Sequence, residues 1–241
     1  MGTEVLNRST RPGVATARRL LLIWRNPNTS RLSRVGVLEA LTDGRYAFRY
    51  LTNLDPDFSP LVQFPEPDRV YVSTSLPAFF VNRVMSKQRP SYPEYRAWLG
   101  LDGSGEDTPV EVLARTGGGR GTDTFHVVDD LRPVDGRVVS RFLASGVRHI
   151  EGAEERVARL QAGQQLYLRD EPENPVNQRA ILIDAEDGLP VAHVPDWLVD
   201  DLHALRNDAT EVILTAERIN HDAPPRLRLL CRLEALPTKP S

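Results

Sequence analysis

Between Leu168 and Ile183 the chain reads LRDEPENPVNQRAILI, two apolar runs joined by a bend that holds two prolines, two asparagines and two arginines. Pro172 and Pro175 have no N–H to give a sheet ladder, so the flanking strands must part at the bend. Asn174 and Asn177 carry the short amides that cap backbone groups exposed by such a turn. Arg169 and Arg179 exceed what a turn needs, because each is a planar guanidinium suited to two-point contact with a carboxylate or phosphate. The same chemistry recurs in GVRH, Gly146 to His149, and in VAHVP, Val191 to Pro195. If the strands that bear them are neighbours, Arg148, His149 and His193 meet Arg169, Asn174, Asn177 and Arg179 at one barrel mouth, and the chemistry is anion capture.

Other chemistries lack their parts. The run TGGGRGTD around Gly117–Gly121 has glycines that can cradle an anion, but no P-loop lysine, and it follows a helix instead of a strand, so it is read as a connector. No two of the five histidines stand at metal-ligand spacing, and no metal or other cofactor is expected. None of the aspartates is set beside a catalytic-loop asparagine or a glycine-elbow serine, so no catalytic residue is named and a non-enzymatic protein is expected. Tyr46, Phe48 and Tyr50 alternate with Arg45 and Arg49 in a pattern open to base stacking. All three aromatic rings share one parity, however, and are expected to pack inward.

The elements that must position these residues are legible in outline. A chain of 241 residues with 40% hydrophobic content has room for two domains, each with its own core. Residues 1–16 lack periodicity and are expected to be a mobile leader. Three strands follow in RRLLLIW, RLSRVGVLEAL and GRYAFRYL, then a proline-rich connector and a strand in RVYVSTS. The period then changes: a helix is expected from a Ser75 cap through Val84, a second in PSYPEYRAWLG, and a third, capped by Thr108, in TPVEVLART. TDTFHVV returns to strand. The turn cluster DDLRPVDGR marks a boundary near residue 136. Beyond it come a strand in RVVSRFLASGV, a short helix in GAEERVARLQAG, strands in QQLYLRD, QRAILIDAE and LPVAHV, a helix in PDWLVDDLHALRN and two long closing strands. The fold class is therefore α+β: residues 17–136 form a mixed β-sheet with helices, and 137–236 a small, partly open barrel with one main helix.

Charge constrains partners. Residues 1–136 carry 17 basic and 16 acidic groups, net +1, whereas 137–236 carry 12 and 17, net −5. The barrel cannot coat a polyanion by bulk charge and must use a local patch. Only Lys87 and Lys239 are lysines, a bias that GC-rich coding explains without selection for arginine. Cys231, the one cysteine, lies in an apolar alternation and is read as buried and inert, which excludes an internal disulfide. No run approaches the roughly 20 apolar residues of a membrane span, and RRLLLIW is too short for a secretory signal, so a cytoplasmic protein is expected.

In the second half, SGVRHI, then GQQLYLRDEPENPVNQRAILI, then LPVAHVPDWLVDDL, together covering Ser145–Leu202 with strands reaching Leu236, resemble a HIRAN domain. That resemblance implies an OB-like barrel, found in DNA-remodelling ATPases and in stand-alone bacterial proteins, which captures the 3′ end of single-stranded DNA. It places the family's arginine at Arg148, its neighbouring aromatic at His149 and its phosphate-contacting histidine at His193. The family's Tyr-Asp pair for the terminal hydroxyl falls on Val176 and Asn177, which cannot stack on a base or supply a charged acceptor. In the first half VGVL, FRYL, STSLPAFFVNRVMS and PVEVLARTGG resemble the amino-terminal part of HipA-type toxins, without the kinase core, which implies a platform for a protein partner. Two functions follow as expectations: binding of single-stranded or frayed DNA ends in DNA repair or defence, or a protein-interaction module without DNA binding.

Overall fold

The computed structural model describes residues 3–7, 13–102, 108–121 and 123–237. Among the described residues, twelve strands and five α-helices follow one another as β1 (Glu4–Asn7), β2 (Thr16–Arg25), β3 (Leu32–Leu41), β4 (Tyr46–Tyr50), β5 (Arg69–Ser73), α1 (Ala78–Val81), α2 (Tyr92–Trp98), α3 (Pro109–Thr116), β6 (Phe125–Asp129), β7 (Val138–Leu143), α4 (Ala153–Arg159), β8 (Gln165–Asp170), β9 (Ile181–Asp184), β10 (Pro190–His193), α5 (Asp196–Asp208), β11 (Ala209–Ile219) and β12 (Leu229–Pro237). The chain divides into two units, residues 1–87 with 108–130, and residues 88–107 with 131–241. The class is α+β, with one antiparallel sheet in each unit.

In the first unit the strand order is β1-β5-β4-β3-β2-β6. Every pairing is antiparallel, so the mixture expected of this half lies in its helices and not in strand direction. Strand alternation sends Leu20, Leu22, Trp24, Phe48, Tyr50 and Val127 to one face, where Phe80 of α1 and Leu113 of α3 cover them. Phe48 and Tyr50 are fully buried and Tyr46 packs beside them, so the aromatic row is core. Residues 4–7, expected in a mobile leader, form the edge strand β1 on β5. Leu6 packs on a second cluster of Leu41, Ala47, Val70 and Val72, and it is the one half-buried residue of β1, which is why no alternation announced the strand.

Two helices differ in how well their signals held. In α3 the Thr108 hydroxyl accepts from the Glu111 N–H and Gly117 ends the helix at φ 73°, a left-handed cap that favours glycine. The helix expected from Ser75 to Val84 is instead the single turn α1, with Pro77 as its cap. Arg83, just past its end, is held by tertiary contacts. Its guanidinium is drawn onto Asp123 at 2.6 and 3.2 Å, onto the Gly118 carbonyl at 3.1 Å, and over the Phe79 ring at 4.2 Å. The Gly117–Gly121 stretch is thereby held by a helix cap and a buried arginine.

The second unit holds the order β10-β9-β8-β11-β12-β7. Leu229, Cys231, Leu233 and Ala235 of β12 point into a core with Phe142, Ile181, Ile183, Leu214, and Leu198 and Leu202 of α5. Burial pushes the Cys231 thiol far above its ordinary range, so the lone cysteine is an inert core residue. The sheet is a half-barrel whose two edge strands approach at one place: just past β7, Ser145 forms an isolated bridge to His193 at the end of β10. Its two backbone bonds measure 2.9 and 2.8 Å. Helix α2, which the turn signals group with the first half, belongs here. Asn220 donates to the Trp98 carbonyl at 2.9 Å, and Arg218 grips Asp102 at 2.9 and 3.2 Å. Among the described residues no helix is long and apolar enough to cross a membrane.

Candidate nucleic-acid interface

The bridge at Ser145 decides what lies beside His193. Directly after it the chain turns through Gly146, at φ 71°, into a one-turn 3-10 helix of Val147–His149. A Cβ on Gly146 would stand 2.8 Å from Nδ1 of His193, so this glycine serves twice: it takes a conformation other residues resist, and it leaves room for the imidazole. Arg148 and His149 then project into solvent while Val147 enters the core. Arg148 Nε lies 3.2 Å from Nε2 of His149.

The bend between β8 and β9 is built by its asparagines as their chemistry suggests. Oδ1 of Asn174 accepts from the Val176 and Asn177 N–H groups, both at 3.0 Å, and Oδ1 of Asn177 accepts from the Arg179 N–H at 2.9 Å. Nδ2 of Asn174 donates to Glu171 at 2.7 Å. The same Glu171 oxygen accepts from Nε2 of His193 at 2.9 Å. Partial burial works to raise the Glu171 carboxyl, but the bonds from Asn174 and His193 and the charges of His193 and Arg169 hold it below its ordinary value. Glu171 therefore ties the bend to the barrel closure. Val176, at the tip, is 85% exposed on this braced backbone.

Two of the expected arginines face carboxylates of their own unit. Arg169 forms a two-point pair with Asp184 at 2.6 and 3.0 Å, and Asp184 is itself buried. Arg179 reaches Asp200 of α5 at 3.1 Å, while its carbonyl is met by His203 at 3.0 Å. Asp170 and Arg206 form a further link from β8 to α5. Arg169 ties the bend to β9 through buried Asp184, whereas Arg179 meets Asp200 of α5 in an exposed pair. Of the expected site residues, Gly146's neighbours Arg148 and His149 lie next to the closure with His193, and Asn174 joins them through Glu171. Arg148 alone among the arginines of the site has no carboxylate partner among the described residues.

Sequence reasoning missed Glu171, Asp184 and Asp200. Glu171 stands three residues before Asn174, close enough for its carboxylate to accept from the Asn174 amide, but no turn rule requires that bond. Asp184 and Asp200 gave no signal, because their pairing depends on strand register and on the docking of α5.

No family model matches the chain, and no curated protein is similar to it. Two solved structures are. A Lactobacillus plantarum protein is 13% identical, with 43% of this chain and all of that one covered at a TM-score of 0.34. The HIRAN domain of human HLTF is 15% identical, with 43% of this chain and 78% of that one covered, again at 0.34. The second bears the family name that residues 145–202 resemble, and neither is named as a HipA-type protein. Superpositions at that score establish neither fold nor function, so the site stands on its own geometry.

Proposed function

We propose that the second unit binds nucleic acid without altering it, and that its ligand is a single-stranded or frayed DNA end in a repair or defence setting. The support is one observation: the Ser145–His193 bridge sets Arg148 and His149 beside His193, on a turn that only glycine opens. In this reading Arg148 makes the leading contact to a backbone phosphate, His149 and His193 flank it, and Asn174 and Asn177 fix the neighbouring bend. Arg169 acts by holding that bend in place, and Arg179 adds an exposed pair with Asp200. Arg148→Ala should weaken binding of a short single strand by roughly 1.5–3 kcal/mol, the worth of a hydrogen bond from a charged donor, or about ten- to a hundredfold. Fluorescence anisotropy with strands ending in a 3′ hydroxyl, a 3′ phosphate or a blunt duplex measures this and the end preference together. Equal affinity of Arg148→Ala and wild type at low salt would remove the site.

A second reading is favoured by the carboxylates. Arg169, Arg179 and His193 are each met by an acidic side chain, and residues 137–236 carry net −5. This pattern suits a protein-interaction module, with the first unit as a platform for a protein partner and the braced Val176 as an apolar contact. No change in anisotropy for any of the three strands at 50 mM salt would select it.

A further inference from the structure

Glu171 sets a carboxylate between two polar side chains, His193 and Asn174. One of its oxygens receives Nε2 of His193 at 2.9 Å and Nδ2 of Asn174 at 2.7 Å, donors and distances with which a protein also holds a phosphate oxygen. The carboxylate is presented by fixed backbone: the Glu171 N–H donates to the Ala180 carbonyl at 2.9 Å, and its own carbonyl accepts from the Asn174 N–H at 3.1 Å. Its neighbours follow one rule, with Asp184 on Arg169, Asp200 on Arg179 and Asp170 on Arg206. Around this bend the cations arrive already compensated, and Arg148 is the arginine left to the solvent.

We propose that Glu171 is an internal phosphate surrogate, which fills the anion subsite beside His193 so that a backbone phosphate enters only by displacing the carboxylate. The inference rests on the nucleic-acid reading for its ligand. Arg148 makes first contact outside the subsite, and exchange of one anion for another then completes the grip. A phosphodiester and a carboxylate each bring one negative charge, so the exchange leaves the local charge nearly unchanged. An isolated phosphate has little to gain by it. A strand held already at Arg148 has a high local concentration at the subsite and gains more. The surrogate thus selects polymeric phosphate over the free ion.

The test uses the full-length protein as wild type, Glu171→Gln and Glu171→Ala. Glutamine keeps the size of the side chain and a bond with Asn174; alanine gives the same sign should glutamine mimic the carboxylate too well. Thermal unfolding establishes that each variant is folded. Inorganic phosphate is titrated in while the His193 imidazole is followed by nuclear magnetic resonance. His193 is expected to stay unmoved in wild type at phosphate concentrations that shift it in a folded variant. A response in wild type equal to that of the variants, or no response in either variant, overturns the surrogate. A short single-stranded oligonucleotide is then titrated into the same proteins. It should bind Glu171→Gln about tenfold more tightly than wild type, with a salt slope steeper by about 0.7, one more phosphate neutralised. If phosphate follows the expected pattern and the oligonucleotide binds none of the proteins, the nucleic-acid reading falls and the surrogate stands. If Arg148→Ala weakens the oligonucleotide while His193 ignores phosphate throughout, the surrogate falls and the reading stands.

Discussion

Tyr50 shows how much a single hydroxyl can hold. It lies fully buried, donates to the Phe64 carbonyl at 2.9 Å and accepts from the Leu61 N–H at 2.7 Å, so one side chain of β4 ties down the proline-rich connector from both sides. Tyr50→Phe keeps the ring and strands those two backbone groups, at a cost of about 1–3 kcal/mol that urea unfolding will measure. Burial pushes the phenol up to about 12 from an ordinary 10. A folded-state value above the unfolded one means the contribution is whole below pH 10 and is lost as pH rises towards 12. Stability of the wild type should therefore fall more steeply across that interval than stability of Tyr50→Phe. Residue chemistry of this local kind was readable in advance: the inward aromatic row, the inert Cys231, and the asparagines that cap their own turn. Long-range pairing was not. Nothing about Arg169 in the sequence separates a phosphate ligand from a partner of Asp184, because the choice is made by the register of β8 on β9.

Elements were legible wherever the pattern had a period to show. The strands from β2 onward and the helices α3 and α5 declare themselves by alternation, caps and prolines. β1 did not, having a single half-buried side chain, and α1 is one turn where the spacing of Leu76, Phe79, Phe80, Arg83 and Val84 suggested a longer helix. The half-barrel's closure is the least local element of all. It depends on two backbone bonds between segments far apart in the chain, on a glycine in the left-handed region, and on an imidazole packed against that glycine. Gly146→Ala attacks this element alone. Adding a methyl at positive φ and 2.8 Å from the His193 ring should cost about 1–3 kcal/mol, seen as a lower melting temperature. An unchanged melting temperature would mean the closure is looser than its geometry implies.

At the scale of the molecule, the grouping of residues 88–107 with the second unit changes where the chain can be cut. A fragment beginning at residue 131 carries every strand of the half-barrel but lacks α2, so Asn220 loses the Trp98 carbonyl and Arg218 loses Asp102. Such a fragment should melt below the full chain. Adding a peptide of residues 88–102 should recover part of the difference, which calorimetry will detect; no effect of the peptide would show that the excursion contributes nothing to the half-barrel. The excursion of residues 88–107 was not readable in the sequence, because helix spacing says nothing about which core a helix joins.

The excursion also sets a timetable for synthesis. Residues 88–107 leave the ribosome well before β7 to β12, the strands of their own unit, and β6, which completes the other sheet, emerges only after them. A nascent chain therefore cannot finish either unit in one uninterrupted pass: the early sheet waits for its last strand, and an exposed α2 waits for the rest of its unit. The first sheet can be completed once residue 130 has emerged, before β7 is made, and α2 alone is left waiting for a unit still to be synthesised.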